Sequence, residues 1–239
     1  MPSTKPMLNG LVAAVAAVGL AGSITVAQQA PPAPAPPPAR FVVVLDAAHG
    51  GDDPGGKLSG GEAEKSLTLA LSVRLRSLLA ARGIQVVTTR ESDSTLDLDR
   101  RAEIANRARA QACLSLHASE SGSGIHLFVS SLPPAQPGRV AAWKTAQAAS
   151  VTRSLALAGT LNSALLHAGI SVTLARANLP AVDSMTCPAV AVELAPESAH
   201  SSGSSQPTPE PLDDPAYQAR VAEALAAALL EWRTEVHQP

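Results

Sequence analysis

Aromatic side chains are scarce in this sequence, at 2% of 239 residues, so its core must be aliphatic. Platforms on which nucleic-acid bases or sugar rings stack are correspondingly few. An excess of either charge is also missing: 18 Lys and Arg stand against 20 Asp and Glu, net −2, with no basic cluster. Nucleic acid is therefore not an expected partner. Cysteine is limited to Cys113 and Cys187, neither near the N-terminus, which excludes a lipoprotein anchor.

What is present begins with an export signature. Lys5 precedes an apolar run from Leu8 to Val26, and Thr25, Val26 and Ala27 are small enough for signal-peptidase cleavage. The run approaches the ~20 residues needed to span a bilayer. Residues 1–27 are thus read as a signal peptide or an N-terminal anchor, and any membrane contact is expected only through this segment. Either way the rest lies outside the cytoplasm, in the periplasm or cell envelope. Residues 28–40 form a Pro-rich linker, extended over Pro31 to Pro38. Residues 41–235 then suit one domain of ordinary size.

Within that domain, Phe41 to Asp46 is an apolar, β-branched strand running to His49, Gly50 and Gly51. After a Gly/Asp/Pro loop, the spacing of Leu67, Leu71, Leu75, Leu78 and Leu79 predicts a helix from Glu62 to Ala81, closed by Arg82 and Gly83. Ile84 to Thr89 is a second strand, parallel to the first in a βαβ unit. Asp97 to Ala110 reads as a helix, and Ala112 to His117 and Gly124 to Ser130 as strands. Val151 to His167 is a helix, Pro188 to Glu193 a strand, and Tyr217 to Trp232 the last helix. Between the last two lies a Ser/Gly/Pro-rich insertion at 198–215, expected to be mobile. The alternation predicts a three-layer α/β domain: a mostly parallel sheet with helices on both faces.

Three apolar strands end in His49, His117 and Glu193. Parallel strands place such ends on one edge, where ligands gather in open α/β sheets. Glu64 comes within reach through the loop after His49. Two histidines and a carboxylate suffice for catalytic zinc, with a position left for water, and a second carboxylate can shuttle a proton. Either histidine alone could be structural; it is the recurrence at strand ends that points to a site. Glu62 competes with Glu64 but suits a helix-start charge. His126 faces away from Ile125 and Leu127 and could serve the site or merely pack. His167 suits the end of its helix. Glu120 and Glu197 read as loop charges, and Arg90 and Arg101 as structural ion pairs or as groups that position loops or bind substrate carboxylates. Gly51 to Lys57 has phosphate-loop spacing, but Leu58 stands where Ser or Thr must reach Mg²⁺. Cys113 and Cys187 lie near strand starts, away from the histidines, and read either as a disulfide or as two buried thiols.

His49-Gly-Gly-Asp-Asp-Pro-Gly55, Glu64-Lys65, Thr89 to Asp93, Arg101 with Asn106, Ser115 to Ala118 and Pro188 to Glu193 occur in one order. Together they resemble the zinc-dependent N-acetylmuramoyl-L-alanine amidases of bacterial cell walls, over Phe41 to Trp232. The resemblance implies one Zn²⁺ on His49, Glu64 and His117, with Glu193 as catalytic acid/base. It implies peptidoglycan as substrate, cleaved between N-acetylmuramic acid and L-alanine, and is compatible with a protein activator. Other readings are a different zinc peptide hydrolase of the wall, such as a carboxypeptidase, or a non-catalytic wall-binding or activator protein on this fold. The chain departs from the family pattern at Ala47-Ala48, where Pro-Gly is usual, at Ser119 in place of Asn, and at Leu194-Ala195 in place of Gly-Phe.

Overall fold

The computed structural model describes residues 2, 40–136, 138, 142–198 and 210–237. The expected signal or anchor, nearly all of the linker and most of the 198–215 insertion lie outside them. No helix among the described residues is long and apolar enough to cross a membrane.

The elements follow in the order β1 (Val42–Ala47), α1 (Glu64–Ala81), β2 (Gln85–Thr88), α2 (Leu98–Ala108), β3 (Ala112–Ala118) and β4 (Ile125–Ser130). A short 3₁₀ helix (Trp143–Ala149) leads to α3 (Val151–His167), β5 (Val172–Ala177), α4 (Pro180–Asp183), β6 (Ala189–Leu194) and α5 (Pro215–His237). The strands form one sheet, β2-β1-β3-β6-β4-β5. All neighbours are parallel except β4 and β6, which run antiparallel. This is the mostly parallel three-layer α/β architecture expected.

β5, α4 and the 3₁₀ helix have no counterpart in the sequence reading. The physical reason is clear for β5. It is an edge strand with no buried side chain, so neither an apolar run nor a strict alternation marks it. Gln147 roots the 3₁₀ helix by donating to the carbonyls of Met185 (2.9 Å) and Cys187 (3.0 Å).

Alternation along each strand divides the core in two. Val43 and Leu45 of β1, Leu114 and Leu116 of β3, and Val190, Val192 and Leu194 of β6 pack with Leu67, Leu71, Leu75 and Leu79 of α1 and with α3 and α5. Val44, Cys113, Ala189 and Ala191 point to the opposite face, with Ala102 and Ala105 of α2 and Val182 of α4. By the same parity Asp46, Ser115, His117, Glu193 and His126 belong to that second face, which α2 and α4 cover only in part.

Cys113 and Cys187 are joined by a disulfide, with Cα atoms 6.1 Å apart. The bond ties the start of β3, the strand of His117, to the approach of β6, the strand of Glu193. The bridged residues are 74 apart in sequence, so loop closure in the unfolded chain contributes about 4 kcal/mol. Reduced protein, or the Cys113→Ala/Cys187→Ala variant, should therefore lose roughly 2–5 kcal/mol in urea unfolding. An unchanged midpoint would refute this.

Candidate metal centre

β1 ends at Ala47, and Ala48 still donates its N–H to the Leu116 carbonyl at 3.1 Å. The turn falls on His49 itself, whose φ is 60°. A left-handed residue with a side chain costs roughly 1–2 kcal/mol. Two buried guanidinium groups offset that cost. Arg90 donates to the Ala47 carbonyl (2.9 Å) and the Ala48 carbonyl (3.0 Å). Arg101 donates to the Ala47 carbonyl (2.7 Å) and the His49 carbonyl (2.6 Å). Arg101 is itself paired with buried Asp46 at 2.8 Å, and Asp46 also accepts from Thr89 and Ser115. Both arginines are thus structural, and they hold the turn at His49.

Glu64 is the first residue of α1, and no side chain caps that helix. Its carboxylate turns instead to the histidines: Oε2 lies 3.1 Å from His49 Nε2, and Oε1 lies 3.0 Å from His117 Nδ1. Backbone N–H groups of Gly56 (2.9 Å) and Ala118 (3.1 Å) donate to the same carboxylate. Burial pushes the Glu64 carboxyl up. The bonds from His117, Gly56 and Ala118 outweigh it and bring the value down to about 2, so Glu64 is ionised at neutral pH. Gly55 makes the approach geometrically feasible. It has φ 68°, and a Cβ there would sit 2.6 Å from His49 Cδ2 and 2.7 Å from Glu64 Oε2.

Asp53 completes the arrangement. Its Oδ2 accepts from His49 Nδ1 at 2.8 Å, which leaves Nε2 turned to Glu64. A carboxylate behind a histidine fixes its tautomer and ring orientation, as metal sites require. Nothing in the sequence distinguished Asp53 from Asp52, because only the folded loop decides which one meets the ring.

One donor atom each from His49, Glu64 and His117 lies within 4.8 Å of the others. Two partly exposed imidazole nitrogens and a buried, ionised carboxylate form a donor set that fits one metal ion. Glu193 lies beside them: its Cα is the register partner of His117 in the β3–β6 ladder. Glu193 and His117 line a cavity of about 210 Å³ with Phe128, Ala177, Leu179 and Ala191. All four expected site residues thus meet at one edge of the sheet. A larger hollow of about 800 Å³ between α2 and Trp143 includes none of them, and its Arg100 and Arg107 are paired with Glu103.

Other expectations divide. Glu120 is an exposed loop charge that accepts from the Ser59 N–H at 2.8 Å. Glu197 is not: it is buried and accepts from the Ser171 N–H (3.0 Å) and hydroxyl (2.7 Å), anchoring the entry to β5. Leu194 and Ala195, where Gly-Phe is usual, are fully buried, and the Ala195 carbonyl accepts from Tyr217 at 2.8 Å.

A family model described as N-acetylmuramoyl-L-alanine amidase matches residues 43–231. The chain is 40% identical over 79 residues to N-acetylmuramoyl-L-alanine amidase AmiA of Escherichia coli, covering 33% of this chain and 27% of that protein. It is 33% identical over 105 residues to the germination-specific N-acetylmuramoyl-L-alanine amidase of Bacillus subtilis, covering 36% of this chain and 44% of that protein. These alignments span less than half of either relative. Among solved structures, the catalytic domain of CwlV from Paenibacillus polymyxa superposes with a TM-score of 0.61 at 25% identity, covering 81% of this chain and 98% of that one. Ami1 of Mycobacterium smegmatis shares the fold, with a TM-score of 0.63 at 21% identity over 82% of this chain and 97% of that one.

Proposed function

The chain belongs to the N-acetylmuramoyl-L-alanine amidase family, and from that premise we propose that it hydrolyses the amide between N-acetylmuramic acid and L-alanine in peptidoglycan. The reading includes one zinc ion on His49, Glu64 and His117, and Glu193 as acid/base. The observation that carries it is the convergence of these side chains at one sheet edge, beside a cavity that His117 and Glu193 share. When bound there, zinc supplies Lewis acidity, polarising the scissile carbonyl and favouring attack by water near neutral pH.

The chain's own groups do the rest. Glu193 accepts a proton from the attacking water and returns it to the alanine nitrogen as the C–N bond breaks. The backbone N–H groups of Gly56 and Ala118 favour the ionised form of the Glu64 carboxylate. Asp53 keeps His49 in one orientation, and Arg90 and Arg101 keep the backbone beneath it from relaxing. The two carboxylates do different work because their surroundings differ: Glu64 is nearly buried, whereas Glu193 is 29% exposed where substrate would enter. The apolar run from Leu8 to Val26 supports export to the envelope, where this substrate lies.

Digestion of purified peptidoglycan tests the proposal. The expected products are intact glycan strands and stem peptides with a new L-alanine amino terminus, identified by mass spectrometry. Release of a C-terminal amino acid instead would assign a carboxypeptidase. Absence of cleavage by zinc-loaded protein would assign a non-catalytic binding protein.

A further inference from the structure

We propose that His126 is a positioning residue for Glu193, an inference that rests on the acid/base reading above. β4 runs antiparallel to β6, and the register sets His126 directly opposite Glu193. On its other side Glu193 pairs in register with His117. The three side chains form one row across β3, β6 and β4, on the face that α2 and α4 leave partly open.

Within this row His126 Nδ1 lies 2.9 Å from Glu193 Oε1. An ionised carboxylate can only accept, so Nδ1 carries the hydrogen and donates it. The bond survives protonation of Glu193, because Oε1 can still accept while the proton resides on Oε2. His126 therefore need not change charge during turnover. Its role is geometric: one carboxylate oxygen is held and the other is left for the reaction.

The ring is itself confined. The 119–124 loop crosses so close that a Cβ on Gly122, whose φ is 90°, would lie 2.2 Å from Cε1 and 2.4 Å from Nε2 of His126. Phe128, two residues on and on the same face, makes an edge contact with centroids 6.3 Å apart. A flexible Glu side chain is thus bonded to an imidazole that has little room to move. An acid/base must sit within hydrogen-bond reach of the proton it takes, and small misplacements are costly.

The test compares His126→Leu, His126→Asn and Glu193→Gln in the full chain loaded with zinc, reading kcat, KM, bound zinc and Tm. His126→Leu keeps bulk and loses the donor; His126→Asn returns an N–H near the place of Nδ1. The expected result is a kcat roughly 10- to 100-fold lower for His126→Leu, with KM and zinc content unchanged. His126→Asn should recover most of that loss, and the ¹⁵N shift of His126 Nδ1 should move in Glu193→Gln. A His126→Leu kcat within twofold of wild type, alongside an inactive Glu193→Gln, would overturn the inference and leave the acid/base reading standing. Equal losses in the Leu and Asn variants would also overturn it, since packing alone would then explain them. A fully active Glu193→Gln would instead overturn the acid/base reading itself.

Discussion

Glu193→Gln is expected to lower kcat on peptidoglycan by roughly 10²- to 10⁴-fold, the usual contribution of a positioned acid/base. The substitution changes almost nothing else. Glutamine has the shape of glutamate, and its amide oxygen can still accept from His126 Nδ1, which lies 2.9 Å from Oε1 in the native side chain. What it loses is the capacity to accept a proton from water and hand it to the departing nitrogen. Zinc content, KM and Tm should therefore stay near wild type while turnover collapses. Assay of muropeptide release with metal analysis on the same preparation checks this. Equal rates for wild type and variant would remove Glu193 from the mechanism.

The second large effect concerns the metal. Replacing His49, Glu64 or His117 by alanine would remove one of the three proposed ligands, and activity should then fall by more than the roughly 10–100-fold that loss of a group supporting a ligand costs. Asp53→Asn, which weakens only the bond behind His49, provides that milder comparison. Thermal unfolding gives a readout independent of turnover, because a cation that binds only the folded chain raises Tm by mass action. Wild type should lose Tm on chelation and regain it with added zinc, whereas the three alanine variants should respond to neither. A zinc-dependent Tm shift in Glu64→Ala equal to that of wild type would exclude Glu64 as a ligand.

Ligand loss also has a structural side. The Glu64 carboxylate accepts from His117 and from the backbone of Gly56 and Ala118 and lies 3.1 Å from His49 Nε2, so it joins the loop after β1 to the end of β3. Glu64→Ala should loosen that junction even without metal. Glu64→Gln separates the two effects, since it keeps an acceptor while removing the charge.

The amino-acid sequence by itself determined the architecture and pointed to the four residues proposed for the centre. Strand ends are legible because a buried strand must be apolar, so a polar side chain at its close marks where the chain meets solvent: His49, His117 and Glu193 are such points. The leucine spacing places the start of α1 only to within two residues, and it is Lys65 with Leu67 and Leu69 after it that favours Glu64 over Glu62. Edge strand β5, with no buried side chain, carries no such pattern.

Only the tertiary structure decided how those residues are held. Periodicity gives the face on which His126 lies, but its pairing with Glu193 depends on β4 running antiparallel beside β6, a long-range choice that no local pattern encodes. The same holds for the two arginines that fasten three successive carbonyls around His49, and for the disulfide between Cys113 and Cys187. Local propensity and hydrophobic period act over a few residues and so fix what each segment is. Partners 40 to 80 positions apart are chosen by how the segments pack, and it is packing that places the His126 donor against Glu193 and the Arg90 donor against the carbonyls beside His49.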